Sequence, residues 1–316
     1  MTSFFSQVSP SVLTTMAGIF GTLSLASVFG AWFKASRGAE AARELNQRIG
    51  SWWIMAGLFC VALATSPVLT FCFLGFVSFL GLKEYLSLIP TRRADRRVLL
   101  WAYLAIPAQF YLAAIGWYGM FIILIPVFLF ALLPIRMILI GETEGFVRSA
   151  GTLQWGVMLC VFSISHAAFL LSLPVLEGEV HKPGPGLLLL LVLLCQGNDV
   201  FQYLVGKPLG RNKIAPDVSP GKTVEGFLGG VVLTTISATL LGPVLTPLDR
   251  WESTLAGLVI AVGGFFGDLC LSALKRDLGI KDTSTMIPGH GGVLDRIDSL
   301  CFAAPLFFHL VYYLKF

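Results

Sequence analysis

The chain has 316 residues, of which 56% are hydrophobic and 13% charged, with a formal net charge of +4. Soluble domains carry about 25% charged residues, and a water-soluble fold this apolar would expose extensive sticky surface. The balance excludes a soluble domain, and the small positive surplus needs no nucleic-acid partner once its placement along the chain is followed.

The apolar residues fall in runs of roughly twenty, the length that crosses a bilayer as a helix. Ten spans are predicted, near 11–33, 51–66, 67–88, 98–116, 119–140, 152–174, 186–205, 226–247, 254–274 and 299–315. The run 51–88 is too long for one helix, and Ser66-Pro67 divides it. No sustained alternation of polar and apolar residues suggests a β-barrel, so the expected fold is an all-α polytopic membrane protein. The opening MTSFFSQVSPSVL has no Lys or Arg ahead of the first apolar run, unlike a secretory signal. A retained first helix with its N-terminus outside is expected. Segments 34–50, 89–97, 141–151, 206–225 and 275–298 then face the cytoplasm. They and the adjoining helix ends hold every Lys and Arg except Lys182, Arg250 and Lys315, as the enrichment of Lys and Arg in cytoplasmic loops requires. Such loops also attract anionic lipid headgroups.

Residues 1–150 read as scaffold and residues 151–316 as the part that carries the chemistry. In the scaffold, RRADRR at Arg92–Arg97 reads as a topology anchor, and Glu84 beside Lys83 as an ion-paired residue at a helix boundary. The Pro- and Gly-punctuated EGEVHKPGPG, 177–186, is a short external loop. His166 and His309 lie singly in apolar spans and are expected to bond to neighbouring helices. The six cysteines contain no CxxC pair and sit in or beside apolar runs; they read as small buried hydrophobes.

Three polar stretches follow, all on the predicted cytoplasmic side. The first runs from Asn198-Asp199 to Gly226. Asp199 lies inside an apolar run, where a charge costs at least about 2.5 kcal/mol and therefore points to function. SPGKT, 219–223, lacks the first glycine of a Walker A loop, since Pro216 stands there. What remains is Ser219, Lys222 and Thr223 ahead of a helix start, with Lys213 nearby, a setting suited to phosphate. The second stretch, GDLCLSALKRD, 267–277, puts Asp268, Ser272, Lys275 and Arg276 on one helical face. Asp268 is expected either to hold a cation or to pair with Lys275 or Arg276 of its own helix. The third, IPGHGGVLDRIDS, 287–299, is a Gly-rich loop leading to a helix that starts near Val293, with Asp295 and Asp298 on one face. Two carboxylates at a helix start suit Mg²⁺ shared with phosphate oxygens. Carboxylates for metal and basic residues for phosphate, at the water edge of a bilayer, describe phosphoryl or nucleotidyl transfer to a lipid.

SALKRDLGIKDTSTMIPGHGGVLDRIDS, 272–299, resembles the signature of the phosphatidate cytidylyltransferases, and GKPLGRNKIAPDVSPGKTVEG, 206–226, looks like a second block of that family. The resemblance covers residues 195–316 well. It implies transfer of a cytidylyl group from CTP to phosphatidic acid, giving CDP-diacylglycerol and pyrophosphate, with Mg²⁺ as two cations. It implies Asp268 and Asp295 as leading metal ligands, with Asp298 and Asp282 next. Lys222, Lys275, Arg276 and Arg296 would hold phosphates, with Ser219, Thr223, Lys213, Asp199, Tyr203, Ser272, Lys281, His290, Gly291 and Gly292 lining the substrate site. The implied partners are CTP, phosphatidic acid or a related lipid phosphate, and membrane lipids; a homodimer is open, and a bacterial inner membrane is the implied address. The chain departs from the family at NDVFQY, 198–203, where members commonly show Asp followed shortly by Ala-Tyr, and its first helix is additional to the family core. A CTP-dependent polyprenol or phytol-type kinase and an ion-coupled transporter are the alternatives, although no inverted repeat supports the transporter. Asp295→Asn is expected to abolish turnover without unfolding the protein.

Overall fold

The computed structural model describes residues 8–92, 95–177 and 181–316; the start of the first segment, Arg93-Ala94 of the charge cluster and 178–180 of the loop expected to be external lie outside the described residues. Among the described residues ten helices are long and apolar enough to span a membrane: α1 Pro10–Arg37, α2 Arg43–Thr65, α3 Pro67–Leu88, α4 Arg96–Ala114, α5 Tyr118–Ile138, α6 Phe146–Ser172, α7 Gly184–Leu209, α8 Val224–Leu245, α9 Arg250–Asp277 and α10 Leu294–Lys315. Among the described residues the only β pairing is two isolated bridges, Lys213 with Thr223 and Ile287 with Gly291. A helix satisfies its own backbone hydrogen bonds, which lipid cannot do for it.

The helix boundaries have local causes. Ser66 ends α2 and begins α3: its side chain accepts the Leu69 amide, and Pro67 occupies the first turn, where no backbone N–H is needed. Thr223 caps α8 through the Gly226 amide, and Asp249 with Glu252 forms a reciprocal capping box on α9. Inside α5 the turn Leu124–Leu129 widens to a π-helix around Pro126, which cannot donate to the preceding turn. A second wide turn, Met158–Ser163, interrupts α6. Side chains from neighbouring helices reach the carbonyls of these turns: Ser78 donates to Cys160 at 2.5 Å, and Gln154 to Ile125 at 3.3 Å.

α6 is the central helix, with 78% of its apolar window buried, against 11% for the peripheral α1. α7 to α10 pack on one another as a bundle, and α10 also packs on α6 and α3. The charge cluster makes contacts across the fold. Arg92 donates to Asp95 at 2.7 and 2.8 Å and to the carbonyls of Glu142 and Glu144, tying the α3–α4 and α5–α6 connections together. His166 and His309 are not isolated: their rings lie 5.2 Å apart among Phe121, Phe162 and Phe308, and His166 bonds to Phe162 of its own helix. All six cysteines are free; Cys60, Cys160, Cys195 and Cys301 are buried, Cys270 is half-buried, and Cys72 is exposed on the outer face of α3.

Candidate functional site

The three polar stretches meet at one end of the α7–α10 bundle. A cavity of about 350 Å³ is lined there by Asp199 and Tyr203 of α7, by Ser219, Lys222 and Thr223 ahead of α8, by Asp268 and Lys275 of α9, and by Asp282, Asp295, Arg296 and Asp298 around the start of α10. A second cavity of about 770 Å³ adjoins it and shares Asp199, Tyr203, Asp282 and Arg296. Lys281, His290 and Gly291 line the second. Lys213 and Arg276 line neither. Arg276 instead holds the carbonyls of Val218 and Ile280 and so joins two loops, while Lys213 sits exposed on its bridge to Thr223.

The ion pairs run between helices. Lys222 meets Asp268 at 2.6 Å, and Lys275 meets Asp295 at 2.8 Å. The pairing of Asp268 with Lys275 or Arg276 of its own helix is therefore overturned. Lys275 turns toward the start of α10, where a buried carboxylate would otherwise stand alone. Ser272, one turn on, donates to Asp268 at 3.2 Å and steadies it.

Asp199, Asp268 and Asp298 stand close enough to repel one another. Ser299 supplies a hydroxyl to Asp199 at 3.3 Å and a backbone amide to Asp298 at 2.7 Å. Asp295 differs from them. One of its oxygens takes Lys275, and the other accepts the Thr283 amide and hydroxyl, both at 2.9 Å, and the Gly292 amide at 3.0 Å. Its acceptor capacity is directed at protein donors, so it frames the loop 283–292 against α9 and α10. Next to Asp199, Asn198 is buried and bonds to Ala261 and Thr234, knitting α7 to α9 and α8. Gln202 lines the smaller cavity with an amide nitrogen that has no partner among the described residues.

The loop between α7 and α8 is held from below. Glu225 accepts the amides of Arg211 and Asn212 and the Asn212 side chain at 2.7 Å. The PGHGG turn is closed by Ile287 and Gly291, and Gly289 and Gly291 take positive φ of 75° and 80°, conformations that cost other residues about 1–2 kcal/mol. Its glycines serve contact with protein. Gly289 lies against the Arg48 backbone, and a Cβ at Gly292 would strike Glu84 and Thr283.

The role of Glu84 was not legible in the sequence. Glu84 is buried and forms no ion pair among the described residues; its Oε2 accepts the Leu294 amide at 2.6 Å, so α3 caps α10. This overturns the reading of an ion-paired boundary residue. A carboxylate at a helix start satisfies an orphan donor and suits the helix dipole. Glu84→Ala is expected to cost about 1–3 kcal/mol through the stranded amide, and Glu84→Gln to recover most of it, as read from thermal unfolding in detergent. Equal stability of both variants with the parent would remove the cap from the argument. α2 is the other unexpected contributor: Ser51 donates to the Pro288 carbonyl at 2.7 Å, and the Trp52 ring meets the edge of His290 at 5.9 Å. Burial, with the Arg296 and Arg48 charges, pulls the His290 pKa below its ordinary value, so its imidazole is neutral at neutral pH.

Comparison with known proteins agrees with this geometry. The model of the cytidylyltransferase family matches residues 46–314, which leaves α1 outside. Uncharacterized protein YnbB of Escherichia coli (strain K12) is 39% identical over 299 residues, 95% of this chain and 98% of that protein. Phosphatidate cytidylyltransferase of Bacillus subtilis (strain 168) is 46% identical over 114 residues, 36% of this chain and 42% of that protein. The enzyme of the same name from Haemophilus influenzae is 39% identical over 145 residues, 44% of this chain and 50% of its own length. The chain thus matches half or less of these two enzymes and nearly all of YnbB. A family model spanning most of ten membrane-crossing helices, with the polar loops inside the matched range, places the chain in the cytidylyltransferase family as a multi-pass membrane nucleotidyltransferase.

Proposed function

We propose that the protein transfers the cytidylyl group of CTP to phosphatidic acid, or a closely related lipid phosphate, forming CDP-diacylglycerol and releasing pyrophosphate. The observation that carries this reading is the cavity in which three mutually repelling carboxylates, Asp199, Asp268 and Asp298, face Lys222, Lys275 and Arg296 at one end of a membrane bundle. It joins a negative surplus suited to a cation with positive charges suited to phosphates.

Mg²⁺ fits this donor set. Among the described residues no group of three or more His, Cys, Asp or Glu side chains is close enough to enclose an ion. Mg²⁺ is commonly held by one or two carboxylates, with substrate phosphates and water completing its shell. Asp268 and Asp298 are the proposed ligands, Asp199 the third carboxylate, and Asp295 the frame that positions them. When bound, the ion would neutralise phosphate charge as the α-phosphorus is attacked.

The chain's own residues do the rest. Lys222 exchanges its pairing with Asp268 for a phosphate oxygen when the nucleotide arrives. Arg296, which has no ion-pair partner among the described residues, orients the incoming lipid phosphate. That nucleophile is already ionised at neutral pH, so neutral His290 acts as a hydrogen-bonding residue and removes no proton. Rate comes from in-line positioning and from charges set in place before the reaction.

The site end is proposed to face the cytoplasm, in a bacterial inner membrane. Lys182 is exposed in the loop before α7, at the opposite end. Lys182→Ala should leave activity within about twofold, as surface substitutions generally do; a dead enzyme would invert the topology. Incubating the purified protein with labelled CTP, Mg²⁺ and phosphatidic acid tests the reaction. A labelled lipid with pyrophosphate release supports it. A phosphorylated lipid with CDP would make the protein a kinase, and no product with CTP still bound would direct attention to another lipid phosphate.

A further inference from the structure

The larger cavity is built partly by a helix that the polar motifs do not include. Its walls bring Arg48 and Trp52 of α2 opposite Val200 and Tyr203 of α7, with His290 and Arg296 between. α2 packs chiefly along α1 and α3, and α1 in turn touches α7 and α8. The larger cavity opens between α2 and α7. α7 presents Val200, 50% exposed, and Tyr203, 62% exposed, beside this cavity. The smaller cavity, by contrast, lies among α7–α10, which pack tightly on one another.

The walls of the larger cavity set Arg48, Lys281 and Arg296 against Glu44, Asp199 and Asp282. Arg296 Nε and His290 Nδ1 are shielded from solvent without any hydrogen-bond partner among the described residues. Arg48 spends one nitrogen on Glu44 at 2.6 Å, and its charge reaches His290. A guanidinium carries five donors in a rigid fork, so Arg48 retains most of its capacity. An unpartnered buried guanidinium donor, here Arg296 Nε, is costly and points to an anionic ligand. Glu44 and Asp282 on the same wall would oppose a highly charged triphosphate more than a phosphomonoester.

Resting on the function proposed above, we propose that the α2–α7 cleft is the acceptor site. The phosphomonoester of a membrane lipid binds Arg48, Arg296 and His290, while its acyl chains run out between Trp52 and Val200 into the bilayer. CTP occupies the smaller cavity, and the two substrates meet where the cavities share Asp199 and Arg296. Arg48 is then a specificity residue for the lipid with no role toward the nucleotide.

Steady-state kinetics in mixed micelles test this, with phosphatidic acid and CTP varied separately. Arg48→Ala is expected to raise the KM for phosphatidic acid by at least about tenfold, the loss of one charge-assisted hydrogen bond, with the KM for CTP unchanged. Arg48→Lys should restore part of the loss. Val200→Trp, placed on the outward side of the cleft, should raise the lipid KM alone. Glycerol 3-phosphate, which offers the headgroup without chains, should inhibit only weakly. An unchanged lipid KM in Arg48→Ala, an equal rise in both KM values, or strong inhibition by glycerol 3-phosphate would each overturn the assignment. If the unmodified protein forms no cytidylylated lipid, the functional reading fails first; if it does and Arg48 is silent, only this inference fails.

Discussion

Asp268→Asn is expected to lower turnover by about a thousandfold or more while leaving the fold intact. The size follows from removing a carboxylate proposed to hold the cation that would neutralise charge on the reacting phosphates. The retained stability follows from what surrounds it. Asp268 has a side chain 22% exposed and pairs with Lys222, but it stands near Asp199 and Asp298 and repels both. Asn keeps the shape and still accepts the Ser272 hydroxyl. Removing one of three like charges offsets the weakened Lys222 pair, so unfolding should shift little. Pyrophosphate release measures the first effect and thermal unfolding in detergent the second. Turnover near that of the parent would take Asp268 out of the cation site and leave it as a partner for Lys222.

The same carboxylates show what the sequence made legible. Charges inside apolar runs are costly, so Asp199 and Asp268 stand out without a structure, and ten spans follow from hydropathy and the Ser66-Pro67 break. The residues that escape are those whose role depends on contacts far along the chain. Glu84 meets Leu294 across 210 residues, and Ser51 meets Pro288 across 237. Nothing local distinguishes Glu84 from an ordinary boundary carboxylate, and Arg48 from any other arginine near a helix start. The glycines of PGHGG were legible as a tight loop, but not that their missing side chains make room for α2 and α3. Helical spacing placed Asp295 and Asp298 on one face. It could not tell that the oxygens of Asp295 are taken up by Lys275, Thr283 and Gly292, because two of those donors lie in a loop without periodicity.

That occupancy sets the second large effect. Asp295→Asn is expected to lower turnover and, unlike Asp268→Asn, to destabilise the protein by about 3 kcal/mol or more. Asp295 is 5% exposed and the Lys275 side chain 13%. An amide offers one accepting oxygen. Turned toward Lys275, it directs its NH₂ at the donors of Thr283 and Gly292; turned the other way, it sets NH₂ against an ammonium. Either choice strands buried donors, and stranding a buried charge costs more than the pair had contributed. The preserved fold expected from sequence is thereby revised. Thr283→Val, which removes one donor and keeps the backbone amide, should cost only about 1 kcal/mol and should lower turnover less. If instead Asp295→Asn kept full thermal stability and lost turnover, Asp295 would be touching metal or phosphate directly. Lys275 would then be its substrate-side partner, and the loop 283–292 would need another anchor.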